Sequence, residues 1–333
     1  MHRRRPDGKE ALQVAGRKHI IFHIDVNSAY LSWTALEKLK NGSETDLRTI
    51  PSIIGGDEKS RHGVVLAKSI PAKKYGIQTG EPVAAALRKC PGLVMEPPDH
   101  KLYRRYSQAM IQLLSEEFSS ELEQVSIDEC YMDFTSVSSR YASPEEAAAL
   151  IRDRILEAFG FTVNVGISTA KVLAKMASDF EKPGKVHTLY PEEIREKMWP
   201  LPVSDLFMVG RRSASKLEGL GLRTIGELAQ ADPAFLAAHF KSHGKLMWEY
   251  ANGIDPSPVV TEKQEAKGIG NSTTLSEDVT EAAKAKEILF SLSESVARRL
   301  QKAGQLAGRV TVGIKDFDFT KGSHRTQAFS PAN

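Results

Sequence analysis

At 333 residues the chain exceeds what one hydrophobic core usually serves, so several modules are expected. Its 41% hydrophobic and 26% charged residues are those of a soluble globular protein, and no apolar run approaches the roughly 20 residues that cross a bilayer, which excludes a helical membrane span. A net charge of +3 leaves the partner open, because 45 basic side chains are nearly balanced by 42 acidic ones.

The start carries Arg3, Arg4 and Arg5 with no apolar stretch or cleavage site behind them, so residues 1–17 are expected to be a disordered basic arm and not a secretory signal. Cys90 and Cys130 stand far apart without metal-ligand spacing, which argues against a disulfide framework or a zinc site and fits a reducing cytoplasm. The run Ile20, Ile21, Phe22, His23, Ile24 is apolar and β-branched and ends on Asp25, as a buried strand delivering a carboxylate does. Helix is expected after Ser28, then a hairpin of strands over 50–54 and 64–67 around Gly55, Gly56 and Gly63. Residues 102–118 repeat apolar positions at helical spacing, and 125–129 with 131–134 alternate as a second hairpin with Asp128 and Glu129 at its tip. Helices over 145–159 and 170–180 flank a strand over 161–167, an order that suggests an α+β core of antiparallel sheet with helices on one face. From Leu201 the texture becomes short helices between glycine turns. After the linker-like Asp255, Pro256, Ser257, Pro258, the pattern reads strand (268–275), helix (281–302), strand (309–318).

Asp25 at a strand end and Asp128–Glu129 at a hairpin tip could bring three carboxylates together. Such a cluster repels itself unless cations sit in it, and hard divalent ions on oxygen ligands are the arrangement used for in-line phosphoryl transfer. Taken singly, each acid reads more readily as a solvated surface group.

The wording around the acids narrows this. His23-Ile24-Asp25-Val26-Asn27-Ser28-Ala29-Tyr30, Gly55-Gly56-Asp57 followed by Gly63-Val64-Val65-Leu66-Ala67, Ser126-Ile127-Asp128-Glu129, and Val165-Gly166-Ile167-Ser168 with Ala174-Lys175-Met176-Ala177-Ser178-Asp179 and Lys182-Pro183 occur in that order. Together they resemble the Y family of translesion DNA polymerases, in particular its bacterial members, from about residue 18 to the end of the chain.

The resemblance implies a multi-domain right-hand polymerase. Palm is expected over 18–30 and 99–190, small fingers over 31–98, a helical thumb with a helix-hairpin-helix over 191–256, and a partial little finger over 257–333. It implies that Asp25, Asp128, Glu129 and the main-chain carbonyl of Val26 hold two Mg2+ ions. It also implies that Tyr30 supports the nucleotide sugar and excludes a 2'-hydroxyl, and that Lys182 reaches the triphosphate. In the fingers Ile70 and Lys73 stand where relatives carry a tyrosine and an arginine; Lys73 still brings charge, and Ser69 or Lys74 is expected to help bind the nucleotide. Gly210, Arg211 and Arg212 are expected at a DNA phosphate, with Met208 replacing the usual first hairpin glycine and so altering the turn's backbone. Arg325 is expected on DNA from the third strand of the little finger, whose closing helix and strand are expected to be missing along with a sliding-clamp peptide. Primer-template DNA and deoxynucleoside triphosphates are the implied partners of a cytoplasmic monomer with no membrane association, making DNA past damaged bases with low fidelity and low processivity.

Two other readings compete. A nucleotidyl cyclase shares a palm-like sheet and two-metal chemistry, and Gly55-Gly56-Asp57-Glu58 imitates its signature, but Lys59 follows where an aromatic is needed. A non-catalytic DNA-binding relative would explain Ile70 and Met208, but not the survival of all three acids.

Overall fold

A computed structural model of the chain describes residues 19–56, 63–262, 266–317 and 320–329. The expected basic arm and Asp57 lie outside these described residues.

In chain order the elements are β1 (Ile21–Val26), α1 (Ala29–Lys40), β2 (Ser52–Gly55), β3 (Val65–Lys68), α2 (Ile70–Lys73), α3 (Val83–Lys89), β4 (Val94–Glu96), α4 (His100–Glu117), β5 (Leu122–Gln124), β6 (Glu129–Asp133), α5 (Pro144–Phe159), β7 (Val163–Ser168), α6 (Lys171–Asp179) and β8 (Val186–Thr188). Short helices α7 (Arg211–Gly219), α8 (Ile225–Gln230), α9 (Pro233–Phe240) and α10 (Ser242–Ala251) follow, then α11 (Ala282–Lys302), β9 (Arg309–Lys315) and β10 (Gly322–Ala328).

The central sheet has the order β5-β6-β1-β7-β8. β1 pairs antiparallel with β6 and β7, as expected of the core, whereas the edge pair β7 and β8 runs parallel. Helices also cover both faces, not one. Strand alternation sends Phe22, Ile24 and Val26 into a core with Leu102, Tyr106 and Met110 of α4 and Ile151 of α5. Ile21 points the other way, packing with Tyr131 and Ala174 of α6. The physical reason is burial: every residue of β7 is buried, so neither face of that strand can be left to water.

One glycine sets how close α6 lies. A Cβ built on Gly166 would stand 2.0 Å from the carbonyl oxygen of Ala174 and 2.5 Å from the amide nitrogen of Ser178, so only glycine lets this helix sit on β7.

A second sheet, β3-β2-β4, packs Ile53 and Val65 on Ala72, Ile77, Val83 and Ala86. Helices α7 to α10 share a core built on Leu217, Leu228, Leu236 and Met247 that continues into Leu173 and Met176 of α6. β9 and β10 form a two-stranded antiparallel sheet with every residue exposed. The strand expected over 268–275 is absent from that described stretch, which takes no ladder partner and holds Gly268 and Gly270. The hairpin carrying the acids is also displaced. Its strands are Leu122–Gln124 and Glu129–Asp133, because Ser126 organises 125–128 into the turn by accepting the amides of Asp128 and Glu129 at 3.2 and 3.1 Å.

Met208 has φ 70°, the left-handed conformation a glycine takes, so the turn before α7 keeps a glycine-like backbone despite the methionine. Its side chain is exposed, so Met208→Gly forfeits little packing and releases left-handed strain of about 1 kcal/mol, part of which glycine's greater unfolded freedom offsets. The expected result is a small rise in the denaturant midpoint followed through Trp199 and Trp248; a fall would mean that the methionine side chain stabilises the turn by contacts stronger than the strain.

Candidate active site

Asp25 and Glu129 face one another as register partners across β1 and β6, and the amide of Val26 donates to the carbonyl oxygen of Asp128 at 2.9 Å. Asp25 and the adjacent Asp128 and Glu129, about a hundred residues away in sequence, therefore meet at one end of the sheet. Ser126 Oγ donates to Asp128 Oδ1 at 2.6 Å.

Two ammonium groups come down on the acids from α6 and the loop beyond it. Lys175 Nζ lies 3.4 Å from Asp25, 3.2 Å from Glu129 and 3.3 Å from Asp179. Lys182 Nζ lies 3.1 Å from Asp25 and 2.9 Å from Asp179. Burial works against both charges, yet Asp25 and Asp179 hold both lysines above their ordinary range. The loop bearing Lys182 is pinned by Asn164, whose amide donates to the carbonyls of Ser178 and Glu181, and by Asn27, which accepts from the amide of Gly184.

The carboxylates divide by environment. His23 beside Glu129, with help from Lys175, lowers that carboxyl to about 2 against the opposing effect of burial. Asp128 goes the other way. Burial raises it, Ser126 pulls it back in part, and the neighbouring Asp25 and Glu129 charges raise it further. A carboxylate pushed up by two like charges is stabilised by any cation placed among them, so the donor set suits a hard divalent ion. His23, Asp25 and Glu129 also offer ligand atoms within 4.8 Å of one another.

Tyr30 opens α1 near the acids, and its hydroxyl is raised by burial, by the Asp128 charge and by Tyr103. Its ring stacks on Tyr103 at 4.2 Å and 9° and meets His100 edge-on at 6.1 Å. Thr34 and Tyr103 hydroxyls lie 3.1 Å apart, so the support beneath Tyr30 is itself held.

Ser69 is not available for a nucleotide. Its hydroxyl donates to the carbonyl of Ile50 at 2.7 Å and accepts the amides of Ala72 and Ser52, capping α2 with only 2% of the residue exposed. The expectation that it binds substrate is therefore corrected. Ile70 at the start of α2 is exposed, and Lys73 ends the same helix. Gly210 precedes α7 without a side-chain cap, leaving the first amides of that helix beside the exposed Arg211 and Arg212. Arg325 is exposed on β10 opposite Val312.

His23, Ser126, Lys175 and Ser178 carried no individual role in the sequence reading. Period-two spacing was the available signal for His23, which shares the sheet face of Asp25.

The impB/mucB/samB family matches residues 24–179, the IMS family HHH motif matches 191–222, and the impB/mucB/samB family C-terminal domain matches 266–333. A protein of Clostridium acetobutylicum named DNA polymerase IV is 53% identical over 306 residues, covering 92% of this chain and 77% of its own length. DNA polymerase IV 1 of Bacillus subtilis is 37% identical, covering 95% of this chain and 75% of its own. Among solved structures, a "Y-family DNA polymerase chimera Dbh-Dpo4(243-245)-Dbh" aligns with a TM-score of 0.79 at 22% identity over 93% of this chain and 88% of that one, a likeness of fold.

Proposed function

The chain belongs to the impB/mucB/samB family, the Y family of DNA polymerases, and from that premise we propose how its residues carry out template-directed DNA synthesis past damaged bases. It is a DNA-directed DNA polymerase, with primer-template DNA and nucleoside triphosphates as substrates and a requirement for divalent metal. The observation that carries the site assignment is the convergence of Asp25, Asp128 and Glu129 at one sheet end, two of them register partners.

On this reading Asp25, Asp128, Glu129 and the carbonyl of Val26 hold two magnesium ions. When bound, such ions ease deprotonation of the primer 3'-hydroxyl and neutralise the charge that develops on the departing pyrophosphate. The protein's own groups position and screen. Lys182, paired here with Asp25 and Asp179, would be the ammonium that reaches the triphosphate, and Lys73 would add charge from the fingers without an arginine's planar fork. Gly210, Arg211 and Arg212 hold a backbone phosphate, and Arg325 a second one; these contacts fix position and read no sequence. A monomeric state, and a sliding-clamp contact in the full-length protein, complete the proposal. Among the described residues no helix is long and apolar enough to cross a membrane.

Primer extension with Mg2+ tests the function. Templated nucleotide addition that stops on chelation is expected; product from GTP alone without primer-template would instead indicate a cyclase.

Tyr30 supplies a sharper test of the site. Its ring is clamped by Tyr103 and His100, so it cannot yield to a 2'-hydroxyl without breaking a stack. Forcing one extra group against a packed ring costs about 1–3 kcal/mol, so Tyr30→Ala is expected to lower the dCTP-to-CTP ratio of catalytic efficiency by roughly 10-fold or more. An unchanged ratio would make Tyr30 a core aromatic only.

A further inference from the structure

His23 is a fully buried polar side chain on the sheet face that carries the acids. Its ring is held on three sides. Tyr131, its register partner on β6, lies 4.8 Å away between centroids, Gly166 is its register partner on β7, and Ser178 Oγ from α6 stands 2.8 Å from Nδ1. That leaves Nε2, a buried nitrogen with no regular hydrogen bond, which lies 3.3 Å from Glu129 Oε2 on the side of the acid cluster.

We propose that His23 is a positioning residue: held by Ser178 and Tyr131, its Nε2–H fixes the rotation of the Glu129 carboxylate so that this group is set for cation binding before substrate arrives. The inference rests on the reading of Glu129 as a metal ligand.

Two features carry it beyond proximity. Both contacts to Glu129, from His23 Nε2 and from Lys175 Nζ at 3.2 Å, fall on Oε2, so neither uses Oε1. A carboxylate gripped through one oxygen by a buried ring and an ammonium is turned to one rotamer with its other oxygen left for a ligand. The second feature is the tautomer. Nε2 faces an anion, so the proton belongs on Nε2, and Nδ1 must then accept from the Ser178 hydroxyl. Ser178 has one proton and two acceptors at 2.8 Å, the ring and the carbonyl of Lys175, and giving it to the ring is the choice that goes with a proton on Nε2 facing Glu129. Gly166 makes the arrangement possible, because without its missing Cβ the backbone at Ser178 could not come down over the ring.

The test measures cation affinity with chemistry blocked. The full chain is bound to a dideoxy-terminated primer-template with matched nucleotide, and free Mn2+ is followed by electron paramagnetic resonance. His23→Phe, which keeps the ring volume and loses the donor, is expected to weaken Mn2+ about 10- to 100-fold, the loss usual when the partner that orients a metal ligand is removed. His23→Gln can still place an amide N–H near Glu129 and is expected to retain most of the affinity, whereas His23→Asn, which stops short of it, is expected to lose it; this pair decides the matter if the phenylalanine variant does not fold. In a Glu129→Gln background His23→Phe should add no further loss. An equal loss in that background, or unchanged affinity in His23→Phe, would reduce His23 to a packing residue and overturn the proposal. Unchanged affinity in Glu129→Gln alone would instead remove Glu129 from the metal site and end the proposal with it.

Discussion

Asp128→Ala is expected to stop nucleotide addition while leaving the protein folded. Without it Asp25 and Glu129 remain, and both are already engaged by Lys175. Loss of metal-assisted charge stabilisation costs several kcal/mol of barrier, on the order of a thousandfold or more in rate. Stability should respond differently. Asp128 is half-buried and held above its ordinary range by burial and by the charges of Asp25 and Glu129, so its removal relieves repulsion and forfeits one hydrogen bond from Ser126. A melt close to that of the parent, with extension abolished, is the expected pair of results. Asp25→Ala separates the roles: it removes a partner from both Lys175 and Lys182, and so should lower stability as well as activity. Near-normal extension by folded Asp128→Ala would sink the catalytic assignment.

How much of this was legible follows from which physical signals act locally. The strand Ile21–Val26 announced itself as an apolar run ending on an acid, and helix spacing located His100–Glu117 and Pro144–Phe159 to within a residue or two. Carboxylate convergence was suggested by an acid at a strand end and two at a hairpin tip and narrowed by the ordered motifs, but no spacing rule says that residue 25 pairs with residue 129. Ser69 was misread although a helix-start signal was present: a serine, then Pro71 inside the first turn, with Ala72 three positions on to donate its amide. The second helical layer was hidden, because Val163, Val165 and Ile167 alternate with Asn164, Gly166 and Ser168, polar or small residues that nonetheless are buried by α6. Packing against the helix that follows, Lys171–Asp179, not strand propensity, decides that face. Residues 268–275 failed in the opposite sense, because a strand exists only where a neighbour completes its hydrogen bonds, and a local pattern cannot supply one.

Gly166→Ala is expected to be among the most damaging glycine-to-alanine changes at the described residues, and to act on the site from beneath. The added carbon would meet two backbone atoms, the carbonyl oxygen of Ala174 and the amide nitrogen of Ser178, at 2.0 and 2.5 Å. Neither can turn away as a side chain would, so α6 must lift or β7 must bend. Overpacking in a well-packed core costs about 1–3 kcal/mol, and a clash against main chain on both counts belongs at or above the upper end, a fall in melting temperature of roughly 6 °C or more. Gly92→Ala is the control, since a Cβ there meets nothing within 4 Å, and it should melt as the parent does. Activity should fall further than stability explains, because α6 carries Lys175 onto Asp25 and Glu129 and Ser178 onto His23, all contacts of 2.8 to 3.4 Å. Extension assayed well below the melting point, where the variant is fully folded, separates the two effects. If Gly166→Ala melts lower but extends primers at the parental rate there, the height of α6 above the sheet does not set the acids, and Lys175 and Ser178 act only as parts of the core.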